Sequence, residues 1–153
     1  MEKPPTLLAI DAYLLSRSGK AGRDRVAARL AAYGLRLWHF AVLAALADFG
    51  PHSQRDLGAR LNVDVSDMAK VIDQLAVDAR IDRVRDEADR RRVLVSLTDR
   101  GRELLAELQR EAADVDRELL AGLDAGERKQ LRALLLKVFA QVDGASGAVV
   151  DQL

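Results

Sequence analysis

The sequence predicts a mainly α-helical fold interrupted once by a two-stranded β-hairpin. Three observations carry this. Apolar residues recur at helical spacing over most of the chain, whereas apolar–polar alternation is confined to residues 81–97. Aromatic residues make up 4%, with Gly 10 and Pro 3, a composition that favours helices over a β-sandwich. The length of 153 residues fits one domain, taken here as residues 1–153.

The elements follow in order. Leu7, Leu8, Ile10, Leu14 and Leu15, then Val26, Leu30 and Tyr33, repeat at helical spacing. Gly19 and Gly22 weaken this helix or break it in two, and Gly34 ends it as a C-cap glycine. Leu37, Phe40, Ala41, Val42, Leu43, Leu46 and Ala47 give a helix apolar on most of its surface, with Trp38 and Phe40 expected in the core; Gly50-Pro51 stops it. Ser53 is the N-cap of a short helix, with Asp56 in the capping-box position and Leu57 and Leu61 as its apolar stripe. Asn62 turns the chain into a helix over about 65–79, with Asp64 or Val65 near its N-cap and Met68, Val71, Ile72, Leu75 and Ala76 on its inner face.

The period then changes. Ile81 and Val84, and later Val93, Val95 and Leu97, read as two short strands joined by a charged, exposed loop over 86–92. Thr98 caps a long helix lined by Leu104, Leu105, Leu108, Ala112, Val115, Leu119 and Leu120. A break at 124–126 precedes a last helix carrying Leu131, Leu134, Leu135, Val138, Phe139 and Val142, and the tail from Gly144 reads as frayed. Residues 36–98 thus form a compact core, flanked by helices over 7–33 and 99–143 whose stripes call for a second copy of the chain.

Two short helices joined by a tight turn match a helix-turn-helix, and a hairpin directly after the second makes it a winged one. Charge agrees with that. The net formal charge is zero, yet it runs +4 over residues 1–36, −3 over 37–79, +3 over 80–102 and −3 over 103–143. Arginine concentrated in one short segment suits a polyanion: a tip bearing Arg83, Arg85, Arg90, Arg91 and Arg92 can lie along phosphates or enter a narrow minor groove. Ser53, Gln54 and Arg55 stand at a helix N-terminus, where backbone N–H groups also bind phosphate.

The stretches Gly34-Leu-Arg-Leu-Trp-His-Phe-Ala-Val-Leu43, Gly50-Pro51-His-Ser-Gln54, Leu57-Gly-Ala-Arg-Leu61 and Val71-Ile-Asp-Gln-Leu75 resemble the MarR family of bacterial transcription regulators. So do Asp89-Arg-Arg91 and Val95-Ser-Leu-Thr98-Asp-Arg-Gly101, the most specific pair; the resemblance covers roughly residues 7–143. It implies a homodimeric winged helix-turn-helix protein, cytoplasmic, binding double-stranded DNA at a pseudo-palindromic operator. It further implies a repressor relieved by a small anionic or aromatic ligand. In that pattern residues 53–61 support a recognition helix at 65–79, and Arg91 is the wing arginine, oriented by Asp89.

The chain departs from the family in its recognition helix. Members often carry Arg-Ser-Thr or Arg-Ser-Asn early in this helix, whereas this chain reads Val65-Ser66-Asp67-Met68-Ala69-Lys70, and Lys70 is the one base over 64–79 against Asp64, Asp67, Asp73 and Asp78. Phosphates repel such a helix, so affinity should lean on the wing. The same acidity favours an alternative: a helical protein-interaction adaptor that keeps the winged core without operator binding. Ala79-Arg80 replaces the usual Gly and apolar pair, which bears on how the first strand begins.

Tyr13, Arg17, Trp38 and His39 are the candidate effector contacts, although His39 also reads as a partly buried, hydrogen-bonded core residue. Other classes find no support. There is no Cys, so no disulfide framework, thiol nucleophile or thiolate metal site. His39 and His52 lie 13 apart with no cysteine nearby, which argues against a metal site; no cofactor is expected. No phosphate loop, nucleophile elbow or H-E-x-x-H motif is present, so no enzyme is expected. The first 30 residues lack signal-peptide order and no apolar run approaches the ~20 residues of a membrane span, so no membrane partner is expected.

Overall fold

The structure, a computed structural model, describes residues 2–150, with 145–150 described by their backbone alone. The chain divides into two compact units, Met1–Val115 and Asp116–Leu153.

In the first unit a single turn, α1 (Pro5–Leu8), leads into α2 (Asp11–Ala31). The helix α2 is continuous through Gly19 and Gly22, so of the two expected outcomes the glycines do not break it. Each glycine costs about 1 kcal/mol against Ala, and a helix of 21 residues with its Lys20–Asp24 pair at 2.6 Å absorbs that. Its end is a Schellman motif: Leu35 N–H donates to the Leu30 carbonyl at 3.1 Å and Gly34 N–H to that of Ala31 at 3.0 Å. Gly34 takes the left-handed φ of +69° that this motif demands.

Three helices follow: α3 (Leu37–Phe49), α4 (Gln54–Leu61) and α5 (Val65–Val77). Asn62, at φ +52°, closes α4 by the same motif and turns the chain into α5. The strands β1 (Ile81–Arg85) and β2 (Val93–Leu97) pair antiparallel, with Ile81 opposite Leu97 and Arg85 opposite Val93. His52, just before α4, adds a two-bond bridge to Val95 and so fastens α4 to the hairpin. Leu30, Val42, Leu43, Leu57, Met68, Ile72, Leu75, Ile81, Val95 and Leu108 are buried together in one core.

The Leu-Thr-x-x-Gly motif has a specific use here. Thr98 Oγ1 donates to the Ala79 carbonyl at 2.7 Å and accepts the Gly101 N–H at 3.0 Å, capping α6 (Asp99–Leu119) against the end of α5. A side chain at position 101 would run into the Arg80 carbonyl, so glycine is required there. Ala79 takes φ +55° to close α5, a left-handed conformation that costs a non-glycine residue about 1 kcal/mol.

Two further expectations change. Trp38 is 39% exposed rather than core, because the first turn of α3 buries His39 in its place. The stripe of α6 is covered within the chain: Leu104, Leu105 and Leu108 pack into the winged core. The apolar side chains left exposed at the start of this unit are those of the N-terminal helices, Leu7, Leu8, Ile10, Leu14 and Leu15.

In the second unit the end of α6 leads through a turn to α7 (Ala125–Val150), which starts with a reciprocal capping box. Asp124 N–H donates to Glu127 at 2.9 Å and Glu127 N–H to Asp124 at 2.9 Å. Leu134, Leu135, Leu136, Val138, Phe139 and Val142 are exposed along α7. Of the tail read as frayed from Gly144, the backbone is helical to Val150 and residues 151–153 lie outside the described residues.

Candidate nucleic-acid interface

Ser53 begins the site. Its Oγ accepts the Asp56 N–H at 3.1 Å and its hydroxyl donates to the Asp56 carboxylate at 2.6 Å. That hydrogen bond, helped by the charge of Arg92, holds the Asp56 carboxyl below the ordinary carboxylate range. Arg92 reaches Asp56 at 3.0 Å and Asp86 at 4.0 Å, so it clamps the base of the wing to α4. Gln54 and Arg55 sit in the first turn of α4, Gln54 half-buried and Arg55 exposed.

The recognition helix α5 carries its acids in engaged positions. Asp64 is the N-cap, accepting from Ser66 N–H at 2.9 Å and Asp67 N–H at 3.0 Å; these backbone donors, that of Asp67 foremost, lower its carboxyl below the usual range. Asp67 faces Lys70 at 3.5 Å. Asp73 is paired with Arg83 of β1. Ser66 and Lys70 are exposed, as are the apolar Val65 and Val77.

The wing is built differently. Arg85 donates to the Arg90 carbonyl at 2.9 Å across the loop, and Asp86 accepts the Ala88 N–H at 2.9 Å. Arg92 N–H donates to the Asp89 carbonyl at 2.9 Å, closing a turn over 89–92. Asp89 accepts the backbone N–H of Arg91 at 3.0 Å. This corrects the expected orienting contact between the Asp89 carboxylate and the Arg91 guanidinium. The two residues lie in a turn, so strand alternation does not put them on one side, and Asp89 acts through the main chain. The guanidinium groups of Arg90 and Arg91 have no hydrogen bond or ion pair among the described residues and project exposed from the tip.

The structure therefore brings Ser53, Asp56, Asp86 and Arg92 into one cluster, and Asp73 and Arg83 into another, beside an open arginine tip. Sequence reasoning missed Asp56, Asp73 and Asp86 as site residues, since nothing in local spacing links them to the wing.

Of the four candidate effector residues, Trp38 alone lines the cavity beside α3. That cavity, about 650 Å³, is walled by Leu37, Trp38, Phe40, Ala41 and Ala44 of α3 and by Arg23 of α2. Tyr13 and Arg17 do not line it, and His39 is 1% exposed and turned into the core. Burial pushes the His39 imidazole below its ordinary pKa, which favours its neutral form.

Known proteins share this arrangement of elements. A family model described as MarR family matches residues 33–92, from the end of α2 through α3, α4, α5 and β1 to the wing loop. The HTH-type transcriptional repressor NicR of Pseudomonas putida is 32% identical over 106 residues, 69% of this chain and 67% of that protein. The chain belongs to the MarR family. As a MarR-family protein it is a DNA-binding transcription regulator with a winged helix-turn-helix. Alignments with its curated relatives span between 52% and 68% of those proteins' length.

Solved structures of the family agree in fold. BpsR of Bordetella bronchiseptica, whose DNA binding is regulated by 6-hydroxynicotinic acid, is 31% identical with a TM-score of 0.67, covering 83% of this chain and 96% of that one. The MarR-family protein Rv2887 of Mycobacterium tuberculosis, solved in complex with DNA, is 27% identical with a TM-score of 0.74, covering 85% and 98%. No helix among the described residues is long and apolar enough to cross a membrane.

Proposed function

We propose that this MarR-family chain is a homodimeric repressor of a pseudo-palindromic operator. In this reading α5 enters the major groove and the wing tip meets the phosphates and the minor groove. The observation that carries it is the division of charge. Asp64, Asp67 and Asp73 of the recognition region are engaged by the N-cap, Lys70 and Arg83, while Arg90 and Arg91 have no partner among the described residues. The carboxylates of Asp86 and Asp89 order the turn that presents those two guanidinium groups, which lowers the entropy lost when the tip meets DNA. The adaptor alternative drew on the acidic face of α5, and three of its four carboxylates are engaged within the chain.

Dimerisation is supported by the exposed apolar residues of α1 and α2 in the first unit and, separately, of α7 in the second, exposure that solvated monomers seldom keep. Effector relief is supported by the cavity beside Trp38, whose size and apolar walls suit a small aromatic and whose Arg23 suits its anionic group. Two copies of α5 related by a two-fold should meet successive major grooves about 34–36 Å apart. The test is selection of duplexes from a randomised pool, followed by footprinting at several salt concentrations. An inverted repeat with half-sites one helical turn apart supports the reading. Enrichment of no duplex, or of a site without a dyad, refutes it.

A further inference from the structure

Among the described residues the core contains one buried polar side chain, His39, 1% exposed. Its Nδ1 accepts the Arg36 N–H at 2.9 Å, so the ring proton sits on Nε2. Nε2 therefore donates to Gln74 Oε1, 2.8 Å away on the recognition helix. This fixes the orientation of the Gln74 amide, and its Nε2 donates to the Gly34 carbonyl at 3.1 Å. Three hydrogen bonds thus join the turn that ends α2, the start of α3 and the middle of α5.

Packing alone does not ask for this. A leucine would fill the space without the desolvation that a buried imidazole must offset. Leu37, Trp38 and Phe40, the immediate neighbours of His39 on the first turn of α3, wall the cavity. Gln74 adjoins Asp73, whose carboxylate holds Arg83 of the hairpin. A shift of the first turn of α3 must carry His39 with it, and then either carry Gln74 or leave a buried N–H unpaired.

We infer that His39 and Gln74 are positioning residues of the DNA-binding surface, through which the cavity wall at the start of α3 sets the lie of the recognition helix. The inference rests on the DNA-binding reading above and adds to it a defined mechanical link. It assigns no ligand contact to either side chain.

The test uses the full chain, a duplex that the protein selects from a randomised pool, and an unselected duplex of equal length. Trp38, the one tryptophan of the chain, reports on the cavity wall. Gln74→Met keeps the volume and removes both hydrogen bonds. It should weaken binding to the selected duplex about tenfold, leave the unselected duplex within about twofold, and abolish the change in Trp38 emission that the selected duplex causes in the wild type. His39→Leu should behave alike, whereas His39→Gln, which still offers an acceptor and a donor, should stay within about threefold of wild type.

A merely structural role gives a different pattern: both duplexes weaken together, in step with a fall in thermal stability, and the Trp38 response persists. That pattern overturns the inference, as does equal behaviour of His39→Leu and His39→Gln. Failure to enrich any duplex is a separate result that removes the DNA-binding reading, and the inference with it.

Discussion

The recognition helix and the wing carry opposite charge and also treat their charges in opposite ways. In α5 the acids are engaged: Asp64 in the cap, Asp67 against Lys70 and Asp73 against Arg83. In the wing the acids Asp86 and Asp89 bind main-chain N–H groups of the loop, and the guanidinium groups of Arg90 and Arg91 stay open to solvent. Net charge per segment is therefore a poor guide to the face a partner meets. An acidic helix can present little unshared negative charge, and a modestly basic hairpin can present two unshared arginines.

Substitutions in each region test this contrast. The largest effect should come from removing the second copy of both regions. Leu134→Asp or Leu135→Asp, at exposed apolar positions of α7, should dissociate the proposed dimer and weaken binding to the proposed operator by about a hundredfold or more, as sedimentation and titration in parallel would show. Next comes Asp89→Ala, which loosens the tip turn and should weaken binding roughly three- to fivefold although it removes a negative charge. Tighter binding in a titration would mean that tip order is irrelevant.

Smaller again, Asp73→Asn should release Arg83 and strengthen binding about two- to threefold, with a steeper salt dependence. The smallest effect lies at the joint between the two regions. Ala79→Gly relieves a left-handed alanine and should raise stability by about 0.5–1 kcal/mol in denaturant melts while leaving DNA affinity unchanged. A change in affinity there would show that geometry at the joint, and not charge alone, separates the two regions.

Much of this was legible in the sequence. Period changes located the hairpin, and Ser53, Asp64 and Thr98 marked helix starts that the structure caps with the expected bonds. Gly34 and Asn62 ended helices as their φ preferences require. What was not legible depends on contacts remote in sequence. The cavity cation Arg23 was missed because its choice depends on the phase of α2. Treating Gly19 and Gly22 as a break loses that phase, and Arg17, six residues earlier, lies on a different face. The pairs Asp73–Arg83 and Asp56–Arg92 link elements 10 and 36 residues apart, beyond any local period. Trp38 and His39 are adjacent, and composition cannot say which of two neighbours a helix buries.

In the proposed reading the wing tip, and not the recognition helix, supplies the electrostatic share of DNA binding. The direct measurement is the slope of log affinity against log salt for the wild type, the Arg90→Ala/Arg91→Ala double variant and Lys70→Ala. Removing one cation from a phosphate should flatten the slope by about 0.9, so the double variant should flatten it markedly. Lys70, already facing Asp67, should change it little. An unchanged slope in the double variant, or an equal change in Lys70→Ala, would contradict that claim.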